Sequence, residues 1–321
     1  QLAAVGSPLR LADLHTHRAS VGRPLALRLG ERLPAGSLFA APPPSQGLVT
    51  LSIIGQFAYA PADRAVTGEA DYLHLLVEAT KQAFRVRDRW VRDPLDLAGA
   101  DLSALLTPPV LHQRSAAIDM QRASSWPESG DPGDTTWFGA IDGAGRAVSA
   151  IQSLFHEFGS GVVLEDTGVC WHNRGASFSL EAGHSRCLAP GRMPFHTLCP
   201  SLACLDDGRL LVFGAMGGEG QPQTQAVVFT RYLGCGMSLQ RAISAPRWLL
   251  GRSWGAGSDT LKLEARVPPQ LMEALAARGH RVERVDAYHP MMGHAGAICR
   301  RPGGLLEGAA DPRGDGCAAG Y

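Results

Sequence analysis

Two periodicities divide the chain. In residues 68–90 (GEADYLHLLVEATKQAFRVRDRW), Leu73, Leu76, Val77, Thr80 and Phe84 recur at three- and four-residue steps, which places them on one face of an amphipathic helix. Residues 9–33 read as a helix over 9–20, a Gly22-Arg23-Pro24 break and a short strand. Pro42, Pro43 and Pro44 followed by Ser45-Gln46-Gly47 form a rigid turn that cannot be helical, after which Leu48 to Ile54 continue as a buried helix. Residues 91–123 read as short helical pieces broken by prolines, and 124–134 (SSWPESGDPGD) as an exposed linker without periodicity. The period then changes. TTWFGAIDGAGRAVSAIQS, starting at Thr135, reads as strand, tight Asp142-Gly143 turn, strand; SLACLDDGRLLVFGAMGG repeats that hairpin grammar around Asp207-Gly208. Residues 224–245 and 268–279 read as helices, and 280–311 as strands with turns. The front third is helix-rich and the remainder strand-rich, which sets a boundary between 1–134 and 135–321.

Composition narrows the function classes. With 45% hydrophobic and 19% charged residues in 321, a sizeable core can be buried and global disorder is excluded. Thirty basic residues balance thirty acidic ones, which argues against nucleic acid or an anionic membrane as the main partner. No apolar run reaches membrane-spanning length. The seven cysteines are odd in number and scattered, with no C-x-x-C, and read mostly as buried thiols rather than a zinc site or a disulfide framework. Lys81 and Lys262 are the only lysines among the basic residues, a bias read as a coding preference. The chain starts at Gln1 inside a helical pattern, so a missing N-terminal part is expected.

Chemistry concentrates at Gly133-Asp134-Thr135-Thr136, where a loop meets a strand. Cleavage of the Asp134–Thr135 bond would leave Thr135 with a free α-amine beside its own hydroxyl. That amine, with an ordinary pKa of roughly 7.7–8.0, can serve as base for an otherwise poor nucleophile. Taken alone, Asp-Thr-Thr reads as a β-prone stretch after a loop.

The ordered set TTWFGAIDGAGRAVSAIQSLFHEFGSGVV, DTGVCWHNRGASFSL, PGRMPFHTLCPSLA, FGAMGGEGQPQTQ, AISAPRW, GAADPR and AAGY resembles the small subunit of the gamma-glutamyltranspeptidase family of N-terminal nucleophile hydrolases. PPPSQG, the EATKQAF helix and DRWVRDP resemble the end of that family's large subunit. The resemblance implies a four-layer αββα sandwich of the α+β class, incomplete at its N-terminal side, in which helices 9–20 and 68–90 cover sheets built largely from 135–321. It implies Thr135 as nucleophile, Asp134–Thr135 as the self-cleavage bond, Ser153 as the supporting hydroxyl, and Gly217 and Gly218 as the oxyanion-hole pair. Glycine suits that role because backbone N–H groups must approach the oxyanion without a Cβ in the way.

The departures bear on substrate. Where the family's γ-glutamyl site has an Asn, this chain has Phe155; where it has a Gln and an Asp, Arg174 and Ser177; where it has a Ser pair, His196-Thr197. The acid that would hold a substrate ammonium is absent and a cation stands near. The resemblance therefore implies a pocket that disfavours an α-ammonium and tolerates a carboxylate or neutral acyl group, with Arg174, Ser177, His196 and Thr197 as substrate-binding candidates. HEFGSG, NRGASFSL, PFHTL and GQPQTQ are similar to the family's acylase branch, which includes cephalosporin-acylase-like and oxamate-amidohydrolase-like enzymes.

Other motifs weigh less. Asp13-Leu14-His15-Thr16-His17 mimics a His-x-His metal motif, but a helix rather than a buried strand is expected there. Gly214 to Gly220 lacks the βαβ context of a phosphate loop. His156 with Glu157 suits a strand end, and His289 with His294 a loop near pocket or core. The reading is a self-processing amide hydrolase or acyltransferase acting on a small-molecule amide, without metal or organic cofactor, its two processed pieces held as a heterodimer. A cytoplasmic location is favoured over a periplasmic or secreted one. Two alternatives stay open: a true gamma-glutamyltransferase or glutathione hydrolase, and a non-catalytic fragment or scaffold. The second is motivated by a front end much shorter than the family's large subunit, which supplies further strands and a substrate-binding Arg.

Overall fold

The computed structural model describes residues 1–62, 66–126, 134–253 and 257–321, without the side chain of Asp134. In chain order the elements are α1 (Leu11–Thr16), β1 (Leu25–Leu29), β2 (Gly36–Ala40), α2 (Gly47–Ala58), α3 (Glu69–Trp90), α4 (Pro108–Ala116), β3 (Asp134–Ile141), β4 (Ala147–Phe155), β5 (Val163–Leu164), β6 (Val169–Cys170), β7 (Ser201–Leu205) and β8 (Leu210–Ala215). There follow α5 (Gln221–Leu233), α6 (Leu239–Ser244), β9 (Trp248–Leu250), β10 (Leu261–Glu264), α7 (Pro269–Ala277), β11 (Val282–Val285), β12 (Ala295–Arg300) and β13 (Leu306–Ala310). The six-stranded sheet runs β1-β2-β7-β8-β12-β13, antiparallel throughout. Smaller sheets are β11-β10-β9, the ribbon β3-β4 and the pair β5-β6.

Side-chain alternation on β8 and β12 fixes how the layers stack. Leu211, Phe213 and Ala215, with Ala295, Ala297 and Cys299, join the helix-side core, where the Phe213 ring stacks on Phe229 of α5 at 5.1 Å. Gly214 and Gly296 face the other way, onto the Trp137 indole of β3. A Cβ on Gly214 would lie 2.0 Å from Trp137 Cδ1, and one on Gly296 2.3 Å from its Cζ3, so only glycine admits the ring at both places. Trp137 Nε1 donates to Ser149 Oγ at 2.9 Å, and Ser149 Oγ donates to the Phe213 carbonyl at 3.2 Å. A helix layer, a sheet and a ribbon thus follow one another, in the order expected for the αββα sandwich. Strands from residues before and after 134 share the large sheet, because β2 pairs with β7 from Gly36–Leu205 to Ala40–Ser201.

Several expectations need correction. α1 is a six-residue turn of helix with no buried residue, so it covers no sheet. α3 packs on α2, α4, α5 and α7; the helices lying on the sheet are α2, α5 and α6. The cause is hydrophobicity all round: each of the twelve residues of α2 is buried, which leaves α3 the outer position with one polar face. Only Cys199 and Cys299 are buried, while Cys204, Cys235 and Cys317 are exposed. The turn between β3 and β4 is wider than Asp142-Gly143, with Gly145 left-handed at φ 83° and Asp142 N donating to the Arg146 carbonyl. Most of the 124–134 linker, residues 127–133, lies outside the described residues. Among the described residues, no helix is long and apolar enough to cross a membrane.

Candidate active site

The ribbon β3-β4 is regular from Thr136–Gln152 to Ile141–Ala147 and breaks at Thr135. Asp134 pairs with Phe155 while Thr136 pairs with Gln152, so Ser153 and Leu154 stand opposite one residue. Such a bulge re-aims side chains. Here Thr135, 5% exposed, donates its hydroxyl to Ser153 Oγ at 3.2 Å. The same Ser153 oxygen accepts from the Phe155 backbone N–H at 2.9 Å and from the Arg174 guanidinium at 3.2 Å. Phe155, the residue replacing an expected Asn, has φ 81°, a region that a bulky side chain enters at a cost of about 1–3 kcal/mol. Its ring lies under Arg174 at 4.2 Å and stacks on His156 at 4.5 Å.

Arg174 opens a one-turn helical segment, Arg174–Ser177, and is buried. Burial alone lowers its pKa, to about 10. Among the described residues no salt bridge reaches it, and its Nη1 is buried without a hydrogen-bond partner. A buried cation without a carboxylate partner carries a desolvation cost of several kcal/mol. His196 is lowered to about 4, by burial first and then by Arg174, and is neutral at pH 7. Ser177 latches this corner: its hydroxyl lies 2.9 Å from the Arg174 carbonyl and 2.8 Å from that of Phe195, beside His196. Asn173 holds the far side, accepting from His156 N–H at 3.0 Å.

Gly217 (φ 126°) and Gly218 (φ 51°) fill the link between β8 and α5. Both angles favour glycine, and a Cβ on Gly217 would come within 3.0 Å of Gly293 Cα. Met216, immediately before the pair, donates its N–H to the His294 carbonyl at 3.0 Å and lines one cavity of about 210 Å³ with Thr135 and His294. Gln46 ties Gly218 to Thr197. Its buried Nε2 reaches the Gly218 and Thr197 carbonyls, each at 3.0 Å. Thr135, Ser153 and Arg174 are therefore in direct contact. Thr197 and Gly218 are joined through Gln46, and His196 meets the site through the field of Arg174.

Gln46 was legible only as part of a proline turn; its partners lie 151 and 172 residues away. The tail residues Gly314, Gly316 and Cys317, which also wall the Thr135 cavity, carried no sequence signal. The motifs AISAPRW and GAADPR form a buried ion network: Arg247 bonds Asp311, Arg313 bonds Asp311 and Glu264, and Asp311 accepts from Ala295 N–H at 2.7 Å on the cavity wall. His15 lies on the exposed α1 and His17 just after it. Elsewhere His74, Glu78 and His280 cluster closely enough to suggest a metal. Both His74 nitrogens are already engaged, with His280 and the Asp119 carbonyl at 2.8 Å each, and Lys81 sits 2.6 Å from Glu78. An ammonium in that position repels a cation, so the group reads as a hydrogen-bonded seam.

A family model described as Gamma-glutamyltranspeptidase matches residues 1–321. The chain is 52% identical to the oxamate amidohydrolase proenzyme of Klebsiella pneumoniae subsp. pneumoniae over 323 residues, covering 100% of this chain and 59% of that protein. It is 31% identical to the acylase ACY 1 proenzyme of Pseudomonas sp. (strain SE83), covering 98% of this chain and 55% of that protein. The crystal structure of cephalosporin acylase from Bacillus halodurans superimposes with a TM-score of 0.85 at 30% identity, over 100% of this chain and 57% of that one. The fold is that of the N-terminal nucleophile hydrolases. The chain spans between half and three fifths of the length of these relatives.

Proposed function

Because the chain belongs to the gamma-glutamyltranspeptidase family, we propose that it carries the catalytic part of a self-processing amide hydrolase whose nucleophile is Thr135. Its acyl donors are small amides bearing a carboxylate. The observation that supports this best is the bulge at Thr135, where its hydroxyl and the Arg174 guanidinium converge on one Ser153 oxygen.

Maturation starts with Thr135 Oγ1 attacking the Asp134 carbonyl carbon. The C–N bond breaks, an ester forms, and water hydrolyses it to leave the Asp134 carboxylate and a free Thr135 amine. In turnover that amine takes the hydroxyl proton as Oγ1 attacks the substrate amide. Backbone N–H groups of Gly217 and Gly218 receive the oxyanion. The ammonium then protonates the departing amine, and water, or a second amine, releases the acyl group from Thr135. Ser153 holds the hydroxyl in line, and Arg174 with Thr197 receives the substrate carboxylate. Neutral His196 adds no second positive charge beside Arg174 at pH 7. Among the described residues an α-ammonium finds no acid beside Arg174, which weighs against γ-glutamyl donors. The pieces 1–134 and 135–321 stay together as a heterodimer, since β2 and β7 are neighbours in one sheet. The name of the Klebsiella relative fits this substrate class, oxamate being a carboxylate joined to an amide.

Mass spectrometry of the purified protein tests maturation: fragments ending at Asp134 and starting at Thr135 are expected, and Thr135→Ala should remain one chain. A panel of oxamate, glutaryl-cephalosporin and γ-glutamyl amides tests specificity. Turnover of the carboxylate-bearing pair, lost in Thr135→Ala and shifted toward neutral amides in Arg174→Met, supports the reading. Robust γ-glutamyl turnover would restore the transferase alternative, and an uncut, inert protein the scaffold alternative.

A further inference from the structure

One buried ion pair reaches from the residues before Thr135 to the turn that carries Gly217 and Gly218. Arg87 lies on α3, and Glu219 directly follows the two glycines. Their side chains are 3% and 4% exposed, and Arg87 Nη1 stands 3.1 Å from Glu219 Oε2. Neither side chain takes part in the steps proposed for Thr135. Burying two charges carries a desolvation cost, and a place that needed only packing could be filled by apolar side chains of similar size. The turn has few other holds. The Gly217 carbonyl accepts from Gly220 N–H at 2.8 Å. In a planar trans peptide that carbonyl and the Gly218 N–H point in opposite directions, so this bond turns the N–H outward. The Gly218 carbonyl accepts from Gln46 Nε2 at 3.0 Å. Residues 217, 218 and 220 are all glycine, so Glu219 is the one residue of the turn with a side chain to hold it by.

We propose that Arg87 and Glu219 form a latch that holds the oxyanion turn in place, and that both are positioning residues for amide hydrolysis. This inference rests on the reading of Gly217 and Gly218 as the oxyanion donors. Glycine loses more conformational freedom on ordering than any other residue, so a turn of this composition samples other backbone states unless something outside it holds it. Arg87 is itself set from two sides. Its Nε donates to Asp88 Oδ1 at 2.8 Å, and its guanidinium lies over the Phe84 ring at 4.3 Å. The effect of the latch falls in the transition state. The carbonyl of a bound amide carries little charge, and the donors matter most once the oxyanion forms. A slack turn should therefore lower kcat and leave KM in place. Arg87 belongs to 1–134 and Glu219 to 135–321, so the latch also makes the oxyanion turn depend on both pieces staying together.

The test compares variants of the full-length protein in steady-state kinetics with oxamate, or with the amide of the panel above that wild type turns over fastest. Rates are expressed per Thr135-terminated chain, counted by mass spectrometry. Removing one partner alone would leave a buried unpaired charge and destabilise the fold whatever the turn does. The deciding variant is therefore Arg87→Met combined with Glu219→Gln, in which neither charge remains and side-chain size is nearly kept. It should hold a thermal midpoint close to wild type, lower kcat about tenfold or more, and move KM by less than about twofold. Glu219→Asp keeps the charge but shortens the reach by one methylene. It should fold and show a smaller fall in kcat, with KM again unmoved. Wild-type kcat in the folded double variant would overturn the latch and leave the proposed function standing. So would a loss of kcat matched by an equal rise in KM or, should the double variant not fold, wild-type kcat in Glu219→Asp. A wild type that turns over no amide of the panel would overturn the proposed function and the latch with it.

Discussion

The β7–β8 and β3–β4 hairpins share a sequence grammar, apolar alternation around an Asp/Gly turn, yet they play opposite parts. The first sits in the middle of the six-stranded sheet, its register unbroken from Ser201–Phe213 to Cys204–Leu210. The second is a two-stranded ribbon, half-exposed along β4, whose register fails at Thr135. A strand paired on both sides has every backbone group and inward side chain assigned, and can offer nothing to a substrate. A bulged ribbon can turn one hydroxyl out of the ladder. The difference is also visible in two serines. Ser201 of β7 donates to Gln225 Oε1 at 2.7 Å and is fully built into the core, while Ser153 of β4 gathers Thr135, Arg174 and its own bulge on one oxygen.

Exchanging each serine for alanine should break the comparison most sharply. Ser153→Ala removes the hydrogen-bond partner of Thr135, the proposed nucleophile, and should lower kcat about 100-fold, on the scale of losing one oriented hydrogen bond at a reacting centre. The thermal midpoint should move little, because the ribbon packs through Trp137. Ser201→Ala should leave kcat intact and cost about 1–2 kcal/mol of stability, by stranding Gln225 Oε1 in the core. Steady-state kinetics and urea unfolding on both variants separate the effects. Equal losses of activity would mean that Ser153 is structural like its counterpart.

The ribbon is held to the sheet by one ring between two glycines, and Gly214→Ala tests that hold. The new Cβ would lie 2.0 Å from Trp137 Cδ1, against a ring and not a flexible chain end. A cost of about 1–3 kcal/mol is expected in urea unfolding. Activity should fall with it, since Trp137 is two residues from Thr135. Gly208→Ala, in the β7–β8 turn, meets only the Pro302 ring at 3.5 Å but forces alanine to φ 87°. It should cost about 1–2 kcal/mol with kcat unchanged. Loss of kcat in the turn variant would show that the two hairpins are mechanically coupled.

These contrasts bear on what was readable. Periodicity carried the helix of 69–90 and both hairpins because each has a clear inward face. It missed the layering, since Leu48–Ile54 and Leu73–Phe84 look alike until one sees that α2 lacks a polar face altogether. It placed a covering helix over 9–20 from a pattern whose residues meet no partner. At the site, Thr135, Ser153, Arg174 and the glycine pair came from motifs local in sequence, and the structure joins the first three. Gln46 and the Glu78–Lys81 pair could not be read, because their meaning lies in partners tens to more than a hundred residues away. Lys81, noted in the sequence only for the scarcity of lysines, is the residue whose ammonium reaches both Glu78 and Ser124.

The smallest expected effect concerns pH, and it distinguishes the site's histidine from those in the helical seam. His196 is held at about 4 and His280 at about 3, both chiefly by burial, and His74 is lowered for the same reason. A histidine whose folded pKa lies below its unfolded value of about 6.5 takes up its proton first in the unfolded chain. Unfolding is then favoured as pH falls below 6.5, and for His196 the loss accumulates down to about pH 4. Between pH 6.5 and 5 His196 and His280 should each cost on the order of 1–2 kcal/mol. Most carboxylates remain ionised in both states over that interval, so the slope reports the histidines. His196→Gln should flatten it by one group's share and leave the remainder to His74 and His280. The same acidification, in wild type, should raise the affinity for an anionic ligand once His196 begins to charge beside Arg174, so the Kd for oxamate, read by calorimetry because a protonated Thr135 amine stops turnover, should drop near pH 4.5 while stability declines. A Kd that is flat from pH 7 to 4.5 in wild type, with the stability slope unchanged in His196→Gln, would place this imidazole outside the binding corner and leave Arg174 as its sole charge.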